Sequence, residues 1–304
     1  MYEAYWDLQE KPFENTPDPK FIYYSQQHKE ALARLLYIVR ERKGGTLLTG
    51  EYGSGKTLLS RVLWQELQQD HLYQSVFVLN PRLSGIEFIQ EILYQLSGTE
   101  AVPNKIELFH ALHKILYANN SAGKHSVIMI DEAQAIENRE IFEELRLLLN
   151  FQLDNSFLLT IILLGQPELR PVVAGLPQLS QRMSVRYHLR ALSEEETREY
   201  IEHRLEVAQA KRQIFDEGAF EEIFRYTSGI PRRINNICDL ALLIGSGNGL
   251  STISRKTILD IKDDIAASES GDLLNTAQRV SGDPGTQDGP GGSAPDFPEK
   301  GVGI

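Results

Sequence analysis

The segment Gly45 to Gln69, "GTLLTGEYGSGKTLLSRVLWQELQQ", constrains this chain more than any other. A short β-type run, Gly45 to Thr49, meets a bend holding Gly50, Gly53 and Gly55, and the bend opens at Lys56 onto a helical pattern reaching about Gln69. A strand that feeds a helix in this way is half of a crossover, and a crossover needs parallel strands to join. The candidates are "SVFVL" at 75–79, "HSVIMI" at 125–130 and "FLLTIILL" at 157–164, with "VRYHL" at 185–189 as a fifth. Between them "GIEFIQEILYQLSG", "IELFHALHKILYANN" and "REIFEELRLLLNF" repeat apolar residues at helical spacing. The alternation predicts an α/β fold: a parallel five-stranded sheet flanked by helices on both faces.

After Leu192 the pattern changes. Ser193 followed by Glu196 is a capping-box signature, no strand follows, and helices are expected at about 216–228, 231–245 and 254–266. Four segments result: 1–44, an N-terminal segment and helix packing on the core; 45–191, the α/β core; 192–267, a small helical lid domain; and 268–304, a Gly/Pro/Ser/Asp-rich tail too polar to order itself. With 304 residues, 41% hydrophobic, the chain can bury a sizeable core. Its 31 Lys+Arg against 42 Asp+Glu leave a net charge of -11, which disfavours nucleic acid as a general partner. Cys238, the single cysteine, sits among Ile237, Leu240 and Ala241 and reads as core. No apolar run approaches the roughly 18–20 residues that span a bilayer, and the acidic, aromatic start lacks a secretory pattern. The expected location is cytoplasmic, with any contact to the inner membrane made through a partner.

Gly50-Glu51-Tyr52-Gly53-Ser54-Gly55-Lys56-Thr57 fits G-x-x-x-x-G-K-S/T, between a strand and a helix as that pattern requires. Backbone N–H groups from Gly50 to Leu58 can then converge on a phosphate at the positive end of the helix. Lys56 is expected on the β and γ phosphates of ATP and the Thr57 hydroxyl on Mg²⁺. A glycine-rich turn with an incidental lysine is the plain alternative. The third β-type run ends in Asp131 and Glu132, at the sheet edge where open α/β folds bind ligands. Asp131 can hold the metal through water, and Glu132 can orient and deprotonate an attacking water. Acids after a strand also serve as helix caps.

The fourth run ends in "ILLGQPEL", where the Gln166 amide can fix the water or merely begin a turn before Pro167. "LSQRMSVRYHLRALS" supplies Arg182, Arg186 and Arg190, and a guanidinium that reaches developing phosphoryl charge assists transfer. Arg186 and Arg190 fall in or just past the fifth run. Arg182 precedes it, at an edge from which a neighbouring subunit's nucleotide can be reached, and is preferred. In "SGIPRRINN", Pro231 opens a helix, and Arg232 and Arg233 point about 100° apart, so that one faces the nucleotide. Arg232 is chosen, against a solvated surface pair.

These residues resemble an AAA+ ATPase, a P-loop NTPase, and more narrowly the ATPase family of general secretion pathway protein A, with its pilus-biogenesis and exosortase-associated relatives. The narrower likeness rests on "PFENTPDPKFIYYSQQHKEALARLLY", "GEYGSGKT", "IDEAQ", "LLGQPEL", "LSQRMSVRYHL" and "GIPRRIN", from Pro12 to about Asn236. The resemblance implies sensor 1 at Gln166, an arginine finger at Arg182, sensor 2 at Arg232, and an adenine-bordering segment around Phe21 to Tyr24. Full-length secretion members look like fusions to a membrane span and a peptidoglycan-binding region, and this sequence contains neither.

His110 and His113, at i, i+3 in a helical pattern, lack further ligands at metal spacing and read as an exposed helix face. Glu143, Glu144 and Arg146 read as the solvated side of another helix. The expected function is ATP hydrolysis coupled to movement of the helical domain. An arginine acting in trans implies self-association on ATP into a ring or filament, and a protein partner in a secretion, pilus-type or exosortase-associated surface system. Two alternatives are a DNA-associated AAA+ ATPase of the transposition-regulator type and a nucleotide-gated scaffold with little turnover.

Overall fold

The computed structural model describes residues 1–98 and 104–265. The chain falls into two units, Met1–Ile261 and Lys262–Ile304. Of the second, residues 262–265 are described, and they are helical. The expected tail, 268–304, lies outside the described residues.

Five strands form one parallel sheet: β1 (Gly45–Gly50), β2 (Tyr73–Val78), β3 (His125–Ile130), β4 (Leu159–Gly165) and β5 (Met183–Leu189), in the order β2-β3-β4-β1-β5. The helices in chain order are α1 (Tyr2–Tyr5), α2 (Gln26–Arg40), α3 (Lys56–Gln69), α4 (Gly85–Ser97), α5 (Lys105–Ser121), α6 (Arg139–Leu148), α7 (Leu169–Ala174), α8 (Pro177–Ser180), α9 (Glu194–Val207), α10 (Glu217–Thr227), α11 (Pro231–Gly247) and α12 (255–261). β1, β3 and β4 are buried along their whole length, because helices cover both sheet faces. Alternate residues divide between two cores. Leu47, Ile128, Ile130, Ile161 and Leu163 meet Phe88 and Ile92 of α4, Leu112 of α5 and Leu145 of α6. Leu48, Val127, Met129, Ile162 and Leu164 meet Leu35 and Val39 of α2 and Leu59 and Leu63 of α3. Truncating a fully buried leucine such as Leu63 to alanine costs about 2–5 kcal/mol.

The sheet's fourth run starts later than its apolar composition suggests. Phe157 makes an antiparallel bridge to Gln152, so the chain is still reversing there, and β4 begins at Leu159.

Beyond β5, α9 opens with the Ser193–Glu196 capping box, both of its hydrogen bonds in place. The chain joins this helical region to the sheet through Leu192, whose N–H donates to Gly229 O at 2.9 Å. Gly229 has φ 72°, and a Cβ there would lie 1.9 Å from Leu192 O, so no other residue fits without moving the joint.

The N-terminal segment divides, a departure from the expectation that all of 1–44 packs on the core. α2 lies on the sheet. The first residues pack on the helical region instead, with Tyr2 OH donating to Asp239 and Trp6 Nε1 to Leu242 O at 2.9 Å. The reason is aromatic burial: Trp6 is fully buried beside Gly245, where a Cβ would come within 2.9 Å of its ring.

A second departure concerns Glu144. Glu143 and Arg146 pair at the surface at 2.7 Å, but Glu144 is 1% exposed and accepts from Lys105 of α5. Ile141, Glu144, Leu145 and Leu148 form a single i, i+3, i+4, i+7 stripe turned into the core, and the Lys105 ammonium pays for the buried charge. His110 and His113 are exposed on α5, and His113 packs against Tyr117 and Phe151. Cys238 is fully buried in α11, and burial pushes its thiol up.

Candidate active site

β1 ends at Gly50, and seven residues later the chain is in the first turn of α3. The bend between them is possible because Gly53 and Gly55 take φ 81° and 98°. A Cβ on Gly50 would meet Leu189 O and Ser54 Oγ at 2.7 Å, and one on Gly53 would meet Arg232 Cβ at 2.5 Å. Gly55 is the N-cap of α3 and supplies no side-chain acceptor, so the first-turn N–H groups point into the bend without a cap. Lys56 is 5% exposed, and its Nζ donates to Gly50 O at 2.8 Å and Glu51 O at 2.9 Å. Burial pushes its ammonium down, against the pull of Glu132 and Asp131.

The loop is braced from behind by α2. His28 is buried, its Nδ1 lies 2.7 Å from Ser25 Oγ, and its Nε2 lies 3.3 Å from Ser54 O.

Thr57 Oγ1 donates to Asp131 Oδ2 at 2.7 Å, and the Glu132 N–H donates to Asp131 Oδ1 at 2.9 Å. Asp131 is 2% exposed; burial pushes its carboxyl up, while these two hydrogen bonds act against that. Glu132 has φ 50°, a left-handed conformation that costs on the order of 1 kcal/mol or more outside glycine. Its side chain accepts from Gln134 Nε2.

One cavity of about 210 Å³ gathers Tyr52, Gly53, Gly55, Lys56, Thr57 and Leu58 with Glu132 and Arg232. Arg232 reaches it from the first turn of α11. Its N–H donates to Gly53 O at 3.2 Å and its guanidinium stacks 4.7 Å from the centroid of the Tyr52 ring. Arg233 does not line this cavity.

Gln166 and Arg182 stand elsewhere. Gln166 follows β4 at the carboxyl edge of the sheet, tied through its N–H to Gln134 Oε1 at 3.0 Å, and it is not part of the cavity wall. Arg182 precedes β5, whose Met183 is in register with Gly45, so it occupies the amino edge, roughly 16 Å along β1 from Gly50. Its Nη2 donates to Asn150 Oδ1 at 2.7 Å. Arg186 is turned to Ser180, and Arg190 is exposed.

Motif reading gave the cavity's remaining wall no role. It comes from Asn15, Thr16 and Pro17 and from Tyr200, Arg204 and Asn235. Arg204 is buried, donates to Pro12 O and to Glu14 O at 3.1 Å, and reaches Tyr200 OH at 2.7 Å. It also lies 4.9 Å from the Phe21 ring centroid. Phe21, and Tyr23 against the Tyr200 ring, pack beside the wall, and none of Phe21 to Tyr24 lines the cavity. The phrase "NTPDP" was the sequence signal for Asn15 to Pro17 and "GIPRRIN" the one for Asn235; Tyr200 and Arg204 had none.

A glycine cradle that a Cβ would fill, uncapped N–H donors and a buried Ser54 Oγ without a partner suit a bound polyphosphate. A hydroxyl held against a buried carboxylate suits a hard divalent cation. Residues 39–173 match the family model described as AAA domain. The chain carries an AAA domain. General secretion pathway protein A of Aeromonas hydrophila is 40% identical over 253 residues, covering 82% of this chain; the chain spans 46% of that relative's length. Among solved structures, the AAA domain and its helical neighbour resemble the Aeropyrum pernix ORC1 protein in complex with DNA, with TM-score 0.63, 16% identity, and 88% of this chain and 72% of that one covered. CDC6P of Pyrobaculum aerophilum gives TM-score 0.58 at 14% identity over 78% and 68%. A RuvB variant of Thermotoga maritima gives 0.54 at 20% over 81% and 72%. With the AAA-domain match over residues 39–173, these likenesses show an AAA-type fold. No described helix is long and apolar enough to cross a membrane.

Proposed function

We propose that this chain binds ATP with Mg²⁺ and hydrolyses it, and that turnover drives the helical region, as an expected lid domain, against the sheet. The observation that carries the reading is the meeting of Lys56, Thr57, Glu132 and Arg232, from three distant stretches of sequence, in one cavity. Lys56 and the N–H groups from Gly50 to Leu58 bind the phosphates, and Lys56 exchanges its two carbonyl partners for phosphate oxygens. Thr57 and Asp131 would hold the metal, which supplies charge neutralisation at the phosphates. Glu132 accepts a proton from the attacking water. Arg232, already stacked on Tyr52 over the loop, binds the nucleotide from the lid side, and Gln166 orients the water from the end of β4.

Arg182 stands at the opposite sheet edge from its own phosphate loop, which supports a role in a second copy's site. That contact is head-to-tail and generates a ring or a filament. The 40% identical relative supports service in a secretion-associated system, with a protein partner that brings the chain to the inner membrane from the cytoplasmic side.

The test is steady ATP turnover by wild type and by Glu132→Gln. The wild type should hydrolyse ATP, and the variant should bind it and stop. Absence of ATP binding by the wild type overturns the site; binding without turnover favours the scaffold. Strong stimulation by DNA, abolished by salt, would favour the DNA-associated alternative.

A further inference from the structure

We propose that Gln134 is a positioning residue for hydrolysis, a clamp that holds the Glu132 carboxylate and couples it to the end of β4. The inference rests on the reading of Glu132 as the base that accepts the water proton. Gln134 lies in the short turn Ala133–Ala135 that follows Glu132, where Ala135 N–H donates to Glu132 O at 2.8 Å. Its amide spans two groups of opposite character. Nε2 donates to Glu132 Oε2, and Oε1 accepts from the Gln166 N–H at 3.0 Å. The orientation of the amide is forced, since an ionised carboxylate only accepts and a backbone N–H only donates. A carboxylate at 134 would lose the first bond, an ammonium the second, and asparagine lacks the length.

The neighbourhood is built around this amide. Gly165, the last residue of β4, would place a Cβ 2.6 Å from Gln134 Oε1, so glycine is what lets the side chain reach the Gln166 N–H. The two acids at the end of β3 have separate partners. Asp131 is engaged by Thr57 and by the Glu132 N–H, whereas Glu132 lines the cavity with one oxygen held by Gln134. A base that must meet a water along one line needs its carboxylate plane fixed, and the division of labour between its two oxygens does this: one is anchored and the other is left to accept. Because the anchor's far end grips the first N–H past β4, any shift of Gln166 moves Glu132 with it.

The experiment compares wild type, Gln134→Ala and the isosteric Gln134→Glu, using the full chain, with kcat and KM for ATP and with ATP affinity by calorimetry. Gln134→Ala should lower kcat roughly 10- to 100-fold with KM and affinity within about twofold, and Gln134→Glu, which sets a second acid against Glu132, at least as far. In a Glu132→Gln background, adding Gln134→Ala should change the single-turnover rate less than about twofold, as expected for two residues acting as one unit. The proposal is overturned if both variants keep wild-type kcat, if affinity falls in step with kcat, or if the loss is equally large without Glu132. A wild type that binds ATP and never turns over overturns the base assignment itself, and this proposal with it.

Discussion

Thr57 Oγ1 donates to Asp131 Oδ2 at 2.7 Å, joining the first turn of α3 to the carboxyl end of β3. The strands they follow are not neighbours, because β4 lies between β1 and β3, so this bond spans the sheet edge at the phosphate loop. It also fixes where a cation would sit. Thr57→Ala is expected to abolish the Mg²⁺ dependence of ATP affinity, with a loss of roughly 10- to 100-fold when Mg²⁺ is present and little change when it is chelated. Calorimetry with and without EDTA checks this. An unchanged Mg²⁺ response would remove Thr57 and Asp131 from the metal site.

Lys56 is held by two carbonyl oxygens of its own loop, so its removal leaves the bend largely standing while deleting the charge that meets the phosphates. Lys56→Ala should weaken ATP binding by roughly 100-fold or more, about 3 kcal/mol, with an unchanged far-ultraviolet spectrum. Undiminished affinity in this variant would refute the site.

Arg182→Ala should retain ATP affinity and lose turnover by on the order of 100-fold or more. Mixed with Lys56→Ala, it should recover activity, because each variant supplies what the other lacks. Sedimentation of Glu132→Gln in ATP should show association at micromolar concentration. A monomer there, or a mixture as inactive as its parts, would exclude action in trans.

His125, the first residue of β3, sets an acid limit on stability far from the cavity. Its Nε2 lies 2.8 Å from Thr160 Oγ1, which donates its own proton to Lys43 O at 2.6 Å, so Nε2 carries the hydrogen and Nδ1 is left buried without a partner. Burial, with Arg42 nearby, lowers the ring's pKa to about 4. Between that value and the unfolded pKa of about 6.5, the unfolded chain binds more protons, so stability rises with pH. The contribution is complete above about pH 6.5 and is lost as pH falls toward 4, on the order of 3 kcal/mol. His125→Gln keeps a donor for Thr160 and should flatten urea-unfolding stability across this window; an equally steep decline would assign it elsewhere.

The sheet was legible because buried parallel strands carry continuous apolar runs, as Val127–Ile130 of β3 do, and the helices between them keep a 3.6-residue period, as α4 shows. The loop from Gly50 to Thr57 was legible because glycine positions are dictated by backbone geometry. Glu144 was misread because charge was taken as a sign of solvent, although its stripe partners Ile141, Leu145 and Leu148 were all visible. Arg204 escaped because its backbone partners, Pro12 O and Glu14 O, lie about 190 residues away, and no local spacing encodes that. Gln134 escaped for a related reason: its role depends on the Gln166 N–H, which every residue but proline possesses.

The first seventeen residues are buckled to the helical region at Trp6 and again, through Arg204, at Pro12 and Glu14, before they pass the nucleotide cavity and reach α2 on the sheet. The helical region thus hangs from two ropes, one running through Leu192 and the other across the mouth of the cavity. In the proposed lid movement, a swing of that region would carry Thr16 and Pro17 with it and so reshape the wall they give to the cavity.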